Sequence, residues 1–368
     1  MQIDKISIDK KTIKKSVGRV SRNEEIAEYY SLMAEDEQSE IMLNKAEAIS
    51  QCYKYWDIDH YRIQGVKDIK RIQLCKDKFC PNCQNILSQR RETKYKPLLD
   101  KLRKDYDIYH IVFTVPNCSS LLLNSTLDAM YQKFPYIIQY LQGSRRCKHI
   151  DYLQFGYVGA VRGVEVTSKR TSQGMEYHPH FHCLFVFRKG LDKEKKFIND
   201  YSFSNGKINR KFTENEILLQ KTWYLLYNGE RLTESKLSDL MQGYSVIAED
   251  SKGKYHQTFK YALKGTFKKG APIFEYDEFK TLYKALYRRK LIQGYGILNR
   301  FKFEEDITEE EIDELYSQII EELKRVEDPE AVTIRLDEVI SDLESSNIKY
   351  ISRSTIRKEL KEQKYNEV

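Results

Sequence analysis

Long apolar runs are what this sequence lacks. No stretch approaches the roughly 18 residues that a membrane-spanning helix needs, so no membrane partner is expected. The opening residues, MQIDKISIDKKTIKKSVGRV, hold no apolar core and do not read as a secretory signal. Cysteines number seven, an odd count that argues against a disulfide framework in a chain of 368 residues. A reducing, cytoplasmic setting is expected instead. Internal repeats and low-complexity linkers are absent too. Histidine is scarce, seven in all, which makes its placement informative.

Charge is plentiful and unevenly spread. Charged residues make up 32% of the chain and the net charge is +7. Residues 304–347 hold 17 acidic and three basic residues, a net of −14, which leaves +21 on everything else. A basic body beside an acidic segment suits a polyanionic partner, of which nucleic acid is the commonest. The shift near 304 is the clearest boundary. The expected division is an N-terminal arm over 1–50, a cysteine-bearing segment with a basic helix over 51–100, a core over 101–303 and an acidic helical region over 304–368.

Three of the seven histidines fall within YHPHFHCLFVF, residues 177–187. Read as a strand, this stretch puts His178, His180, His182 and Leu184 on one face and Phe181, Cys183 and Phe185 on the other. His180 and His182 then project in parallel, about 6.6–6.8 Å apart along the strand. The preceding strand, YVGAVRGVEVT (157–167), carries Glu165. A hairpin across the long polar turn SKRTSQG brings Glu165 beside both histidines. Two imidazoles and one carboxylate leave coordination positions open, as suits Mg²⁺ or Mn²⁺ acting on a phosphate, or a catalytic zinc.

A nucleophile is sought next. As a helix, YHQTFKYALKGTF (255–267) buries a stripe holding Phe259, Ala262, Leu263 and Thr266, with Tyr255 in the core. Tyr261 lies opposite that stripe, with Lys264 and Gln257. A tyrosine that leaves the apolar face to stand beside a lysine is a candidate for chemistry.

The cysteines have separate work. Cys75, Cys80 and Cys83, in LCKDKFCPNCQ, offer three thiolates, and Cys52 offers a fourth. Four soft ligands read as a structural, tetrahedral Zn²⁺ site, with His60 as the competing fourth ligand. Cys118, Cys147 and Cys183 are expected as buried thiols. The helix that follows the cluster presents Arg90, Arg91, Lys94 and Lys96 as candidate DNA-backbone contacts, and Lys260 is a further one.

The rest reads coarsely. Residues 1–40 suggest an arm with one helix near NEEIAEYYSLMAED. YHIVFTV (109–115) is a strand. STLDAMYQKFPYIIQYLQ is helical with Pro135 interrupting it. TENEILLQKTWYLLY is a helix capped by Thr213, and ISRSTIRKELKEQ is a short basic helix with a serine cap. Residues 305–345 read as helical, split at Pro329.

Four motifs in order carry a family resemblance: IVFTVPN, RGVEVT, YHPHFHCL and FKYALKG. HFH resembles the histidine-hydrophobic-histidine signature of HUH endonucleases, and KYALK resembles their Tyr-x-x-Lys motif. The order is similar to that of rolling-circle replication initiators of small Gram-positive plasmids, over roughly residues 50–268. The resemblance implies an α+β fold, an HUH core of antiparallel sheet with helices packed on one face. A zinc-binding segment would precede this core and a helical C-terminal region would follow it. It implies Mg²⁺ or Mn²⁺ held by His180, His182 and Glu165, with His178 at a position usually present in the motif, and Tyr261 as nucleophile assisted by Lys264. Such an enzyme nicks and joins single-stranded or hairpin origin DNA through a 5′-phosphotyrosine in a bacterial cytoplasm. Host helicase and polymerase are the implied partners, and a homodimer is left open.

One departure stands out. Several members of the family it resembles place a glutamate four residues before the tyrosine, where this chain has Gln257, and an amide cannot serve as general base. His256 and Glu249 are the alternatives, or a second subunit's tyrosine. The departure leaves an HUH-type transposase or mobilisation relaxase open. A non-enzymatic zinc-dependent DNA-binding regulator is a further reading. A zinc hydrolase would want a third histidine or an HExxH helix, and neither is evident.

Overall fold

The β-branched and aromatic runs fold as strands and the runs of period 3.6 as helices. The computed structural model describes residues 3–8, 10–191, 196–199, 210–259, 274–299, 309–344 and 347–366. These gather in two units, one formed by Met1–Ile86 with Phe303–Val368 and the other by Leu87–Lys302. The division therefore differs from four consecutive segments, because residues far apart in sequence share one sheet.

In the first unit that sheet has the order β11-β1-β2-β12. Strands β1 (Tyr55–Tyr61) and β2 (Val66–Ile72) form an antiparallel pair. The strand β11 (Glu330–Arg335) joins β1 antiparallel, and β12 (Lys349–Ile351) joins β2 parallel. The acidic region is thus not wholly helical. EAVTIR places Val332 opposite Ile58 and Ile334 opposite Trp56, so pairing and burial outweigh the helical charge pattern around it. Its helices α11 (Glu309–Lys324), α12 (Leu336–Glu344) and α13 (Arg353–Asn366) supply Ile312, Ile319, Leu323, Val339 and Ile356 to two apolar clusters.

The N-terminal residues are not an arm. They form four helices, α1 (Ile3–Ile6), α2 (Lys10–Val20), α3 (Asn23–Glu37) and α4 (Glu40–Ser50). Ile13, Ser16 and Val20, spaced by three and four, are all buried, as are Ile26, Tyr30 and Met33. The many lysines between them occupy the opposite face, which is why the segment reads as polar.

The second unit holds an antiparallel sheet in the order β10-β5-β6-β3-β9. Its strands are β3 (Tyr106–Thr114), β5 (Gly159–Thr171), β6 (Gly174–Arg188), β9 (Val246–Asp250) and β10 (Ile292–Gly296). The short β4 (Cys118–Ser119) pairs with β6, and β7 (Lys196–Asn199) pairs with β8 (Arg210–Thr213) apart from this sheet. The β5–β6 turn is shorter than SKRTSQG suggests, since pairing runs to Thr171 opposite Gly174. Gly174 adopts a φ of 117°, open to glycine and strained for other residues.

One face of this sheet buries Phe113, Phe181 and Phe185 against Phe134 and Trp223 in edge-on and tilted contacts. Phe134 comes from α6 (Ser120–Leu141) and Trp223 from α7 (Glu214–Tyr227), where Thr213 and Glu216 close a capping box. Helix α6 continues to Leu141 past Pro135. Leu127, Met130, Ile137 and Ile138 are buried on either side of it, and that packing outweighs a local cost of about 3 kcal/mol.

The helices do not keep to one face. On the other side, Leu99 of α5 (Pro81–Leu102), Tyr255 and Phe259 cluster with Ile108, Val161, Leu184 and Val186. That cluster covers one end of the face that carries the histidines. The fold class is α+β. Among the described residues no helix is long and apolar enough to cross a membrane.

Candidate metal centres

The strand of histidines lies in the middle of its sheet, between β5 and β3. Register sets Glu165 opposite His180, Gly163 opposite His182 and Thr167 opposite His178. Side chains opposite one another share a face, so the carboxylate lies among the histidines. The Glu165 Oε2 atom stands 2.6 Å from His182 Nε2 and 3.3 Å from His180 Nε2. Glu165 and His180 are buried, at 2% and 7% exposure.

The donor set fits a divalent cation. His180 Nδ1 lies 3.0 Å from the His178 carbonyl, which can only accept, so Nδ1 carries the proton. The neutral ring then presents a lone pair at Nε2, aimed at a carboxylate oxygen. Two acceptors facing each other in a buried site call for a cation or a proton between them. One ligand atom from each of Glu165, His180 and His182 lies within 4.8 Å of the others. His178 does not add its ring to this group. It lends its backbone carbonyl, while its ring stands 4.9 Å from that of His180. Burial, reinforced by His180, pushes the His178 pKa down to about 4.

A residue missed in the sequence completes the arrangement. His110 of β3 places Nε2 3.0 Å from His182 Nδ1, with the two rings stacked at 5.1 Å and 12°. The signal was present, because His110 shares strand parity with Val112, which faces His182 across β3 and β6. Only the knowledge that β3 joins β6 makes it readable.

Helix α9 (His256–Phe259) brings the chain to this same face. A Cβ at Gly163, the residue opposite His182, would lie 2.3 Å from the Thr258 carbonyl oxygen, so glycine permits the approach. Phe259 is buried, and its carbonyl accepts from Ser88 Oγ at 2.6 Å. Gln257 is exposed on α9, and Glu249 is exposed on β9 directly across from His110. Tyr261, Lys264 and Lys260 lie outside the described residues.

On α5, Arg90 and Lys94 are exposed one turn apart. Lys96 is exposed but paired with Asp100 at 2.5 Å. Arg91 is half-buried, and burial lowers its pKa. Of the four, Arg90 and Lys94 are thus exposed and outside the Lys96–Asp100 pair.

The four cysteines Cys52, Cys75, Cys80 and Cys83 meet in the first unit. Sγ separations are 3.7 Å for Cys52–Cys83, 3.6 Å for Cys75–Cys83 and 3.6 Å for Cys52–Cys80. Zinc–sulfur bonds of about 2.3 Å in a tetrahedron give edges of about 3.8 Å. The spacing therefore suits that ion. Hydrogen bonds from Cys52 and then Cys75 hold the Cys83 thiol well below its ordinary range. The Lys76 N–H donates to Cys83 Sγ at 3.2 Å. His60 is not part of the group. It sits within β1 between Lys67 and Glu330. Cys147 and Cys183 are buried, as expected, while Cys118 is half-buried.

Comparison with known proteins gives a family model described as "Replication protein" over residues 66–205. A curated "Protein rep" from Bacillus sp is 23% identical over 45% of this chain and 50% of its own. Another "Protein rep", from Bacillus amyloliquefaciens, is 22% identical over 47% of this chain and 48% of its own. The chain thus spans about half the length of these relatives. No solved structure matches it. The expected likeness to replication initiators of Gram-positive plasmids is met: over residues 66–205, which hold IVFTVPN, RGVEVT and YHPHFHCL but not FKYALKG, the chain is similar to the replication-protein family.

Proposed function

We propose that this chain nicks and rejoins one strand of origin DNA, and so initiates rolling-circle replication of a plasmid. The observation that carries the reading is the convergence of α9 on the Glu165–His180–His182 face. The described stretch 210–259 ends two residues before Tyr261, with Thr258 lying against the residue opposite His182.

In this reading the Tyr261 phenolate oxygen attacks the scissile phosphorus. The bond to the 3′-oxygen breaks, that oxygen takes up a proton, and the 5′-phosphate stays esterified to Tyr261. Phosphodiester energy is conserved, so rejoining needs no nucleotide, and the free 3′-OH can prime a polymerase. Mg²⁺ or Mn²⁺ held by Glu165, His180 and His182 would polarise the phosphate as a Lewis acid. Lys264 offsets phosphate charge, while Arg90 and Lys94 hold the strand backbone. Zn²⁺ held by the four cysteines would be structural.

The direct test incubates the protein with single-stranded origin DNA and Mn²⁺, then maps any protein–DNA adduct by peptide sequencing. An adduct at Tyr261 is expected. Cleavage without an adduct, or an adduct at another residue, would sink the mechanism.

Gln257 bears on the second half of the cycle. Without a carboxylate there, water-driven release of the phosphotyrosine should be slow, and strand joining should exceed hydrolysis. Gln257→Glu is expected to shorten the adduct lifetime, since a general base typically contributes about 10²–10⁴-fold. Equal lifetimes for the two proteins would move the base elsewhere, with His256 and Glu249 the next to replace.

A further inference from the structure

We infer that His110 is a positioning residue that fixes the tautomer of His182 and thereby its fitness as a metal ligand. This rests on the reading of Glu165, His180 and His182 as a divalent-metal site. A neutral imidazole that ligates through Nε2 must carry its proton on Nδ1, and that proton needs an acceptor. For His180 the acceptor is the His178 carbonyl, at 3.0 Å. For His182 the group at Nδ1 is His110 Nε2, also at 3.0 Å.

His110 can accept there only if its own proton sits on Nδ1. Glu249 stands across β3–β9 from His110 in the strand register, on the same face of the sheet. An acidic neighbour favours a ring that presents an N–H toward it. With that tautomer, the His182 Nδ1 proton points to His110 and away from the metal position. It leaves the His182 Nε2 lone pair facing Glu165, 2.6 Å away. Ring stacking at 12° holds the two imidazoles in that relation. Each histidine of the HFH motif thus has its own acceptor, one from backbone and one from a neighbouring strand.

The test measures Mn²⁺ affinity by titration calorimetry on the full chain, with folding followed by thermal melting. His182→Ala is expected to lose the site. His110→Phe keeps a flat ring but offers no acceptor, and it should weaken Mn²⁺ binding about 10–100-fold. His110→Gln, whose Oε1 can accept near the old Nε2 position, should recover most of that loss. Wild-type affinity in His110→Phe would overturn the inference and leave the metal site standing. Equal weakness in His110→Phe and His110→Gln would overturn the acceptor role. A wild type that binds no Mn²⁺, or a His182→Ala that binds as well as wild type, would remove the metal-site reading and the inference with it.

Discussion

Tyr261→Phe should yield no covalent protein–DNA adduct while binding origin DNA as the wild type does. The substitution removes one oxygen and keeps the ring, so the lost capacity is nucleophilic and the shape is retained. Removal of a nucleophile elsewhere lowers turnover on the order of 10⁶-fold, so residual cleavage should fall below detection. The substrate must be labelled at its 3′ end, because the fragment that the protein retains carries the 5′-phosphate. Gel-shift affinity measured beside it separates chemistry from binding. An adduct formed at the wild-type rate would show that another group attacks. Loss of binding together with cleavage would instead give Tyr261 a role in holding DNA. A DNA-binding regulator without chemistry predicts no adduct in either protein.

Cys80→Ser is expected to unfold the first unit. Cys52 and Cys80 are fully buried and Cys83 nearly so, and they tie together α3, the chain before β1 and the start of α5. Asn23, at the start of α3, joins the cluster, accepting from Cys80 Sγ at 3.5 Å and donating to the Cys52 carbonyl at 3.1 Å. Structural zinc contributes roughly 10–16 kcal/mol in small peptides. A whole domain is stable by only about 5–15 kcal/mol. Losing one thiolate should therefore cost most of the unit's stability, with zinc below one equivalent and rapid proteolysis. Cys118→Ser is the control, since Cys118 is half-buried outside the cluster, and its zinc content should not change. Full zinc and unchanged proteolysis in Cys80→Ser would count decisively against a structural metal.

Much of the site is legible in the sequence because its key residues obey a single short-range rule. Period two along each strand puts His180 and His182 on one face, and hairpin pairing of neighbouring strands adds Glu165. His110 was hidden because its place depends on β3 joining β6, a pairing across more than seventy residues of chain. Cys52 was readable as a ligand only by chemical type, since it lies outside the tight LCKDKFCPNCQ spacing. Its choice over His60 turns on the sheet, where His60 is committed to β1.

The first two N-terminal helices, α1 and α2, were missed for the opposite reason, whereas α3 and α4 fall on NEEIAEYYSLMAED and IMLNKAEAIS, which read as helical. The apolar positions of the first two are few, Ile3 and Ile6 in α1 and Ile13, Val17 and Val20 in α2, set among lysines. Ile3, Ile6, Ile13 and Val20 are buried against Trp56, Ile58, Tyr61 and Val66 of β1 and β2 together with residues 312–356, partners that the N-terminal sequence does not announce. Likewise EAVTIR is too short and too exposed along its length to announce a strand without β1 beside it.

The interleaving of the first unit also dictates an order of events at the ribosome. The hairpin of β1 and β2 emerges early, yet an isolated two-stranded hairpin is at best marginal in water. Its two flanking strands, β11 and β12, emerge more than 250 residues later. Leu87–Lys302 is contiguous and can mature during synthesis, as units of a growing chain generally do. The first unit must wait with its strand edges open. During that wait, a metal ion held by Cys52, Cys75, Cys80 and Cys83, all of which emerge with the hairpin, would cross-link the early half before its partner strands arrive.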